Sequence, residues 1–200
     1  MYLVFDTETT GLPISHDAPV SDVDNWPRLV QLAWAGFDSH GCGTGARSYL
    51  IRPDGFNIPK TAEKIHGIST EHAKRSGVPI AQVLAQFAEA LGKARVVVAH
   101  NLSFDASVVG AEFHRLGIRY QFRRKICICT KESGTDFCAL PGQHGFKWPS
   151  LAELHLKLFG KSPKEAHDAA VDVLTCSKCF FELKRRGIVS VRRKQTRQAR

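Results

Sequence analysis

Several things are missing from this chain, and each absence narrows what it can be. No apolar run approaches the roughly 18–20 residues needed to cross a bilayer as a helix; "VVVA" at 96–99 is typical of the longest. No membrane partner is therefore expected. The opening "MYLVFD" has no basic segment ahead of an apolar stretch, so a secretory leader is not expected and a cytoplasmic location is. No internal repeat is found, and no low-complexity segment precedes the C-terminal tail. The six cysteines, with no secretory context, read most simply as reduced thiols. "CSKC" at 176–179 has a zinc-like spacing, but no second CxxC accompanies it and it falls within an apolar helical pattern. A zinc site built from Cys127, Cys129 and Cys138 is the minor reading. Acids are absent from the end of the chain. From Lys184 onward there are eight Lys and Arg residues and no Asp or Glu, so eight of the net nine positive charges fall in the last 17 residues.

What remains is nearly neutral: residues 1–183 carry 20 basic against 19 acidic side chains. With 200 residues, 43% of them hydrophobic, the chain can bury one substantial core. We expect one folded domain over 1–186 and a basic tail, 187–200, expected to be disordered. Such arms attract polyanions. A second basic group, "RRK" at 123–125 with Arg115 and Arg119 upstream, is a further candidate for contact with a phosphate backbone.

The patterning predicts a strand in "YLVFD" and a long irregular loop over 12–27. Strands follow in "RLVQLAWAGF" and "RSYLIRP", with "HGCGTG" as a glycine-rich turn between them. "PKTAEKIHGIS" suggests a short helix and a turn; "PIAQVLAQFAEALG" is an amphipathic helix stopped by Gly92. "ARVVVAHN" has the continuous apolar character of a strand covered on both faces. A helix over "SFDASVVGAEFHRLG" would be capped by Ser103 and stopped by Gly117. "KICICT" is a fifth strand, and "PSLAELHLKLFG" and "AAVDVLTCSKCFFELKRRG" are two more helices. An antiparallel meander followed by strands alternating with helices predicts an α/β fold with a mixed sheet flanked by helices.

The first strand ends oddly. In "YLVFDTETTG", Asp6 and Glu8 are two residues apart and share a face, where two carboxylates repel unless a cation lies between them. Two more acids draw attention: Asp105 in "AHNLSFD", after the fourth strand, and Asp172 in "HDAAVD", preceded by His167. Each has an ordinary explanation by itself. Asp105 suits the first turn of a helix, and Asp6 and Glu8 suit a solvated strand end. Asp172 among apolar neighbours is harder to explain, because an unpaired carboxylate there is costly.

Together, "FDTETTG", "HNLSFD" and "HDAAVD" resemble the three exonuclease motifs of the DnaQ-like 3′–5′ exonucleases, in the DEDDh branch with a ribonuclease-H-like fold. "IHGIS" at 65–69 is similar to the "IHGIT" segment of that family. The likeness runs from about residue 2 to 185 and none of the family acids is missing. It implies a ribonuclease-H-like, five-stranded mixed sheet: an antiparallel meander plus parallel strands. It also implies a phosphodiester hydrolase releasing nucleoside 5′-monophosphates from a 3′ end with two Mg²⁺ or Mn²⁺ ions. Asp6 would lie between the ions, Glu8 and Asp172 would complete the first, and Asp105 would hold the second. His167 would be the general base, its ordinary pKa suiting proton transfer near neutrality. A regular helix would turn positions 167 and 172 to different faces, so a helix starting near Asp168 is favoured over one capped by "SPKE" at 162–165. Leu12 and Ile65 would wedge against the terminal base. Thr7, Thr9, Thr10, Gly11, His66, Asn101 and Phe104 would complete the substrate contacts, while Trp26 would either pack under its loop or close over the substrate. Partners would be nucleic acid 3′ ends, DNA favoured over RNA, with a DNA polymerase as a further candidate and the oligomeric state open. The alternatives are a 3′–5′ exoribonuclease that trims RNA ends, a binding module in which the basic arm acts, and an adaptor recruited through its tail.

Overall fold

The computed structural model describes residues 1–120, 122, 124–163 and 168–191. Strand β1 (Tyr2–Thr9) is the centre of a five-stranded sheet. It pairs antiparallel with β2 (Leu29–Phe37), which pairs antiparallel with β3 (Gly43–Leu50). On its other side β1 runs parallel to β4 (Val96–Ala99), and β4 parallel to β5 (Ile126–Cys129), giving the order β3-β2-β1-β4-β5. The sheet is therefore mixed, with the meander and the parallel strands meeting at β1.

Alternation along β1 divides the core in two. Leu3 and Phe5, both 0% exposed, join the side chains of α3 (Ile80–Lys93) and α4 (Leu102–Arg115). Tyr2 and Val4 face α7 (Leu151–Phe159) and α8 (Ala169–Arg185). By the same parity Asp6 and Glu8 belong to the α8 side and Thr7 to the α4 side.

Several local expectations change. The glycine-rich segment is not all turn: Gly43 and Gly45 pair with β2, and the reversal is confined to residues 38–42, where Asp38 accepts from the amides of His40 and Cys42. Gly92 lies inside α3 and does not end it. Ser103 lies within α4; the residue before the helix is Asn101, with φ of 103°. Asparagine is among the few residues that adopt this left-handed region readily. Gly117, at φ 62°, does follow the helix end. Short elements that periodicity does not reveal also appear: α2 (Thr70–Ser76) after α1 (Lys60–His66), α5 (Thr130–Ser133), α6 (Thr135–Cys138), and a hairpin of β6 (Pro141–Gly142) with β7 (Gly145–Phe146).

The loop over 12–27 is pinned from beneath. Trp26 is 4% exposed and sits in the core, so it packs under the loop. Glu112 of α4 accepts from Arg28 Nε (2.8 Å) and the Leu29 amide (3.1 Å) and forms an ion pair with Arg115 (Nη1 at 3.1 Å), and Arg115 donates to the carbonyls of Val23 and Trp26. Arg115 is thus an internal strut, and Lys125 is similarly bound to the carbonyls of Gly92 and Ala94. Neither is a free phosphate contact. Cys129, Cys138, Cys176 and Cys179 are buried, the last two in the α8 core stripe. Among the described residues no cysteine belongs to a metal-binding group. Beyond α8, Val189 is 7% exposed and packs into the core with Val191 beside it. Residues 192–200 of the tail lie outside the described residues, as do Arg123 and the Lys164 and Glu165 of "SPKE". No helix among the described residues is long and apolar enough to cross a membrane.

Candidate active site

The carboxyl end of β1 carries the site. The last β1–β4 pair is Val4 with Val98, so the next residues of β1 extend past the ladder toward the turn between β4 and α4. Asp6 and Glu8 meet Asp172 there. One carboxylate oxygen of each lies within 4.8 Å of the other two.

Asp172 reaches this point because α8 starts where it does. Asp168 caps the helix, its Oδ1 accepting from the Ala170 amide at 2.8 Å. Gln31 of β2 locks the cap to the sheet: its Oε1 accepts from the Ala169 amide (3.2 Å) and its Nε2 donates to Asp168 (3.4 Å). The later helix start expected from the spacing is the one observed, and Asp172 falls in the first turn. His167 itself lies outside the described residues.

Asp105 comes from the first turn of α4, is 3% exposed, and accepts a 2.7 Å hydrogen bond from the Thr7 hydroxyl. Asp6, Thr7, Glu8, Asn101, Phe104, Asp105 and Asp172, together with His100 and Leu151, line one cleft of about 260 Å³. The Asn101 amide oxygen accepts from Lys131 Nζ at 2.6 Å. His100 is held by Thr130 Oγ1 at 3.0 Å and the Pro149 carbonyl at 3.1 Å. Burial, and the charge of Lys131, lower its pKa to about 4, so the ring is neutral and donates to Pro149.

The electrostatics of the acids follow from this crowding. Burial, then Asp105, Asp172 and Glu8, push the Asp6 carboxyl well above the usual carboxylate range. Burial, then the charges of Asp172, Asp105 and Asp168, raise Glu8 to about 7. Burial raises Asp105 to about 7 as well, against the opposing effects of the Thr7 hydroxyl and Lys131. Acids in this state favour either a proton or a cation. An all-oxygen, multiply charged donor set with converging atoms suits a hard divalent ion, so the residues present fit such an ion.

The other expected contacts, Thr9, Thr10, Gly11, Leu12, Ile65 and His66, are not among the residues lining this cleft. Leu12 and Ile65 are 79% and 61% exposed, free to meet a ligand. The Thr9 hydroxyl donates to the Gly11 carbonyl (2.7 Å), and Thr10 Oγ1 accepts from the Arg28 amide (2.9 Å), so these two hydroxyls shape the turn after β1. His66 Nδ1 accepts from the Ile68 amide, and the ring lines a smaller cleft bounded by Gln31 and Asp168. Four residues at or near the site were not expected there: Gln31, His100, Lys131 and Leu151, while Asp168 was expected only as the start of a helix. His100 adjoins a recognised motif and had that signal. Gln31 and Lys131 had none, since only the packing of β2 and α5 brings them close.

Sheet order, helices on both faces and an acid cluster at the end of the central strand define the ribonuclease-H-like class of nuclease folds. Within that class the chain belongs to the exonuclease family: the RNase_T exonuclease model matches residues 3–180, and the DnaQ-like 3′–5′ type is the one its relatives represent. It is 28% identical over 179 residues to the DNA polymerase III subunit epsilon of Treponema pallidum, covering 90% of this chain and 74% of that protein. It is 33% identical over 114 residues to a PolC-type DNA polymerase III of Streptococcus thermophilus, covering 57% of this chain but 7% of the polymerase. Among solved structures, E. coli exonuclease I in complex with a dT13 oligonucleotide superposes with a TM-score of 0.72 at 21% identity, over 92% of this chain and 40% of that one. The fold is shared; the chain spans less than half of exonuclease I. The exonuclease family is metal-dependent.

Proposed function

We propose that this protein removes nucleoside 5′-monophosphates from the 3′ end of DNA, from single strands or frayed ends, with two Mg²⁺ or Mn²⁺ ions as cofactors. The observation that carries the reading is the convergence of Asp6, Glu8 and Asp172 within 4.8 Å, with Asp105 in the same cleft. When bound, paired divalent ions supply charge stabilisation at the attacking and leaving oxygens and make water a better nucleophile near neutral pH. Asp6, Glu8 and Asp172 would hold one ion, with Asp6 shared, and Asp105 would serve the second. Thr7 keeps the Asp105 carboxylate aimed into the cleft, and Gln31 with Asp168 holds the start of α8 so that Asp172 faces β1. His167 is assigned as the base that accepts the proton of the attacking water; that α8 begins after position 167 supports a residue there reaching the cleft. Leu12 and Ile65 are assigned to wedge the terminal base, and Gly11, Asn101 and Phe104 to border the terminal nucleotide. Contacts of this kind tolerate any base, so digestion is independent of sequence.

The similarity to a polymerase epsilon subunit supports a DNA substrate and makes docking on a polymerase one possible setting; repair or degradation by the free enzyme is the other. The working site is the cytoplasm. The test is a panel of labelled single-stranded DNA, duplex DNA and RNA with Mg²⁺ or Mn²⁺, read for stepwise 3′ shortening in the parent and in Asp6→Asn. Metal-dependent shortening of DNA that vanishes in the variant is expected. Faster trimming of RNA would turn the assignment to an exoribonuclease, and cleavage that survives in Asp6→Asn would overturn it.

A further inference from the structure

The hairpin and the segment after it contain an aromatic surface that the acid cluster does not use. Phe146 is 55% exposed and Trp148 61%, against 4% and 5% for Trp26 and Trp34. Three contacts tie this surface to the cleft. The Pro149 carbonyl accepts from His100, a cleft residue. Leu151, two residues further on, lines the cleft. Lys131 Nζ lies 4.3 Å from the centre of the Trp148 ring while donating to Asn101. The Lys131 ammonium thus touches one face of the indole of a residue that is 61% exposed.

A cation beside an exposed indole, at the mouth of an acidic cleft, matches one kind of ligand well: a single nucleic-acid strand. Its base offers a flat face to stack on the ring and its phosphate an anion for the ammonium. An acidic peptide would satisfy the lysine but would leave the indole without a planar partner. Duplex DNA keeps its bases inside the stack, where the ring could not reach them. The site also has a second effect on the chemistry. Lys131 holds Asn101, whose left-handed backbone leads into α4 and hence to Asp105.

We infer that Trp148 and Lys131 form a subsite for the unpaired strand just upstream of the terminal nucleotide, Trp148 stacking on a base and Lys131 meeting a phosphate. This rests on the reading of the cleft as an exonuclease site, and it makes the enzyme selective for single-stranded over paired ends.

Binding and cleavage are to be measured separately. With metal chelated, anisotropy of a short 5′-labelled single-stranded deoxyoligonucleotide should show Kd rising about 10-fold in Trp148→Ala, as expected for loss of one stacked base, and largely recovering in Trp148→Phe. Lys131→Gln should also weaken binding and flatten its dependence on salt. In the parent, oligonucleotide should quench the tryptophan emission of the exposed ring over the background of two buried ones, and this quenching should be absent from Trp148→Phe. With Mg²⁺, Trp148→Ala should raise KM more than it lowers kcat, and more for single strands than for duplex ends. Equal Kd values for the parent and Trp148→Ala, or no quenching in the parent, would overturn the subsite. A parent protein that binds through Trp148 but cleaves no 3′ end would overturn the exonuclease reading and leave the binding site standing. Quenching by an acidic peptide and not by the oligonucleotide would reassign the surface to a protein partner.

Discussion

Two groups of acids in this molecule, one buried and one half-buried, meet opposite fates. Glu112, 1% exposed at its side chain, lies among Arg28, Arg115 and the Leu29 amide. For Asp6 and Glu8, burial and the neighbouring carboxylates all push in the same direction. Glu112 is fully withdrawn from water, while Asp6 and Glu8 are half-buried at the edge of a cleft. The difference is that the Glu112 site contains its own positive charge and the cleft acids gather more negative charge. Burial of a carboxylate is costly in either place. In one it is offset by arginines and holds a loop on a helix; in the other the set contains no such offset, a state that favours a proton or a cation. A buried acid is thus structural or functional according to what surrounds it.

That contrast can be broken from either side. Asp6→Asn should have the largest effect, a fall in cleavage on the order of 10³-fold or more, since metal-held transition-state charge is worth several kcal/mol. The same variant should melt at a higher temperature than the parent without metal, because repulsion in the cleft is relieved. A lower melting temperature would show that the acids are not in conflict. Glu112→Ala should do the reverse, lowering stability by about 3–5 kcal/mol by stranding two arginines. Urea titration reads this, and a midpoint equal to that of the parent would deny the strut its role. Thr7→Val, which removes the hydroxyl from Asp105, should reduce activity by about 10- to 100-fold, as for other groups that orient a metal ligand, with a modest change in melting temperature.

The smallest effect is a pH dependence. Glu8 and Asp105 have folded-state pKa values near 7, above their ordinary values. The folded form therefore keeps protons that the unfolded form releases, and stability without metal should fall as pH rises from about 4 through about 7. Saturating Mg²⁺ should flatten the profile, because the ion replaces the protons. Melting curves in chelator and in Mg²⁺ across that range provide the check, and a flat profile in chelator would contradict it.

Much of this was legible in the linear chain, for reasons that differ by residue. Asp6 and Glu8 share a face because a strand alternates, so their proximity needs no tertiary information. The start of α8 was readable because positions 167 and 172 cannot share a side of one regular helix, and the observed Asp168 cap agrees. Other features were not readable. Ser103 looked like a cap because it precedes an apolar pattern, but Asn101 begins the turn in a left-handed conformation held by Lys131, a partner 30 residues away. Arg115 and Lys125 looked like phosphate ligands because charge on a sequence says nothing about whether a carboxylate or carbonyl lies opposite.

The sequence alone determined the alternation, the start of α8 and the chemical types at each motif, since these depend on local geometry and on neighbours a few residues apart. Only the tertiary structure decided which acids meet, which are neutralised by arginine, and that Lys131 joins Asn101 to an exposed indole. Those outcomes depend on through-space contacts between elements far apart in the chain. Electrostatic and stacking energies fall off over a few ångströms, and no pattern along the chain encodes such distances.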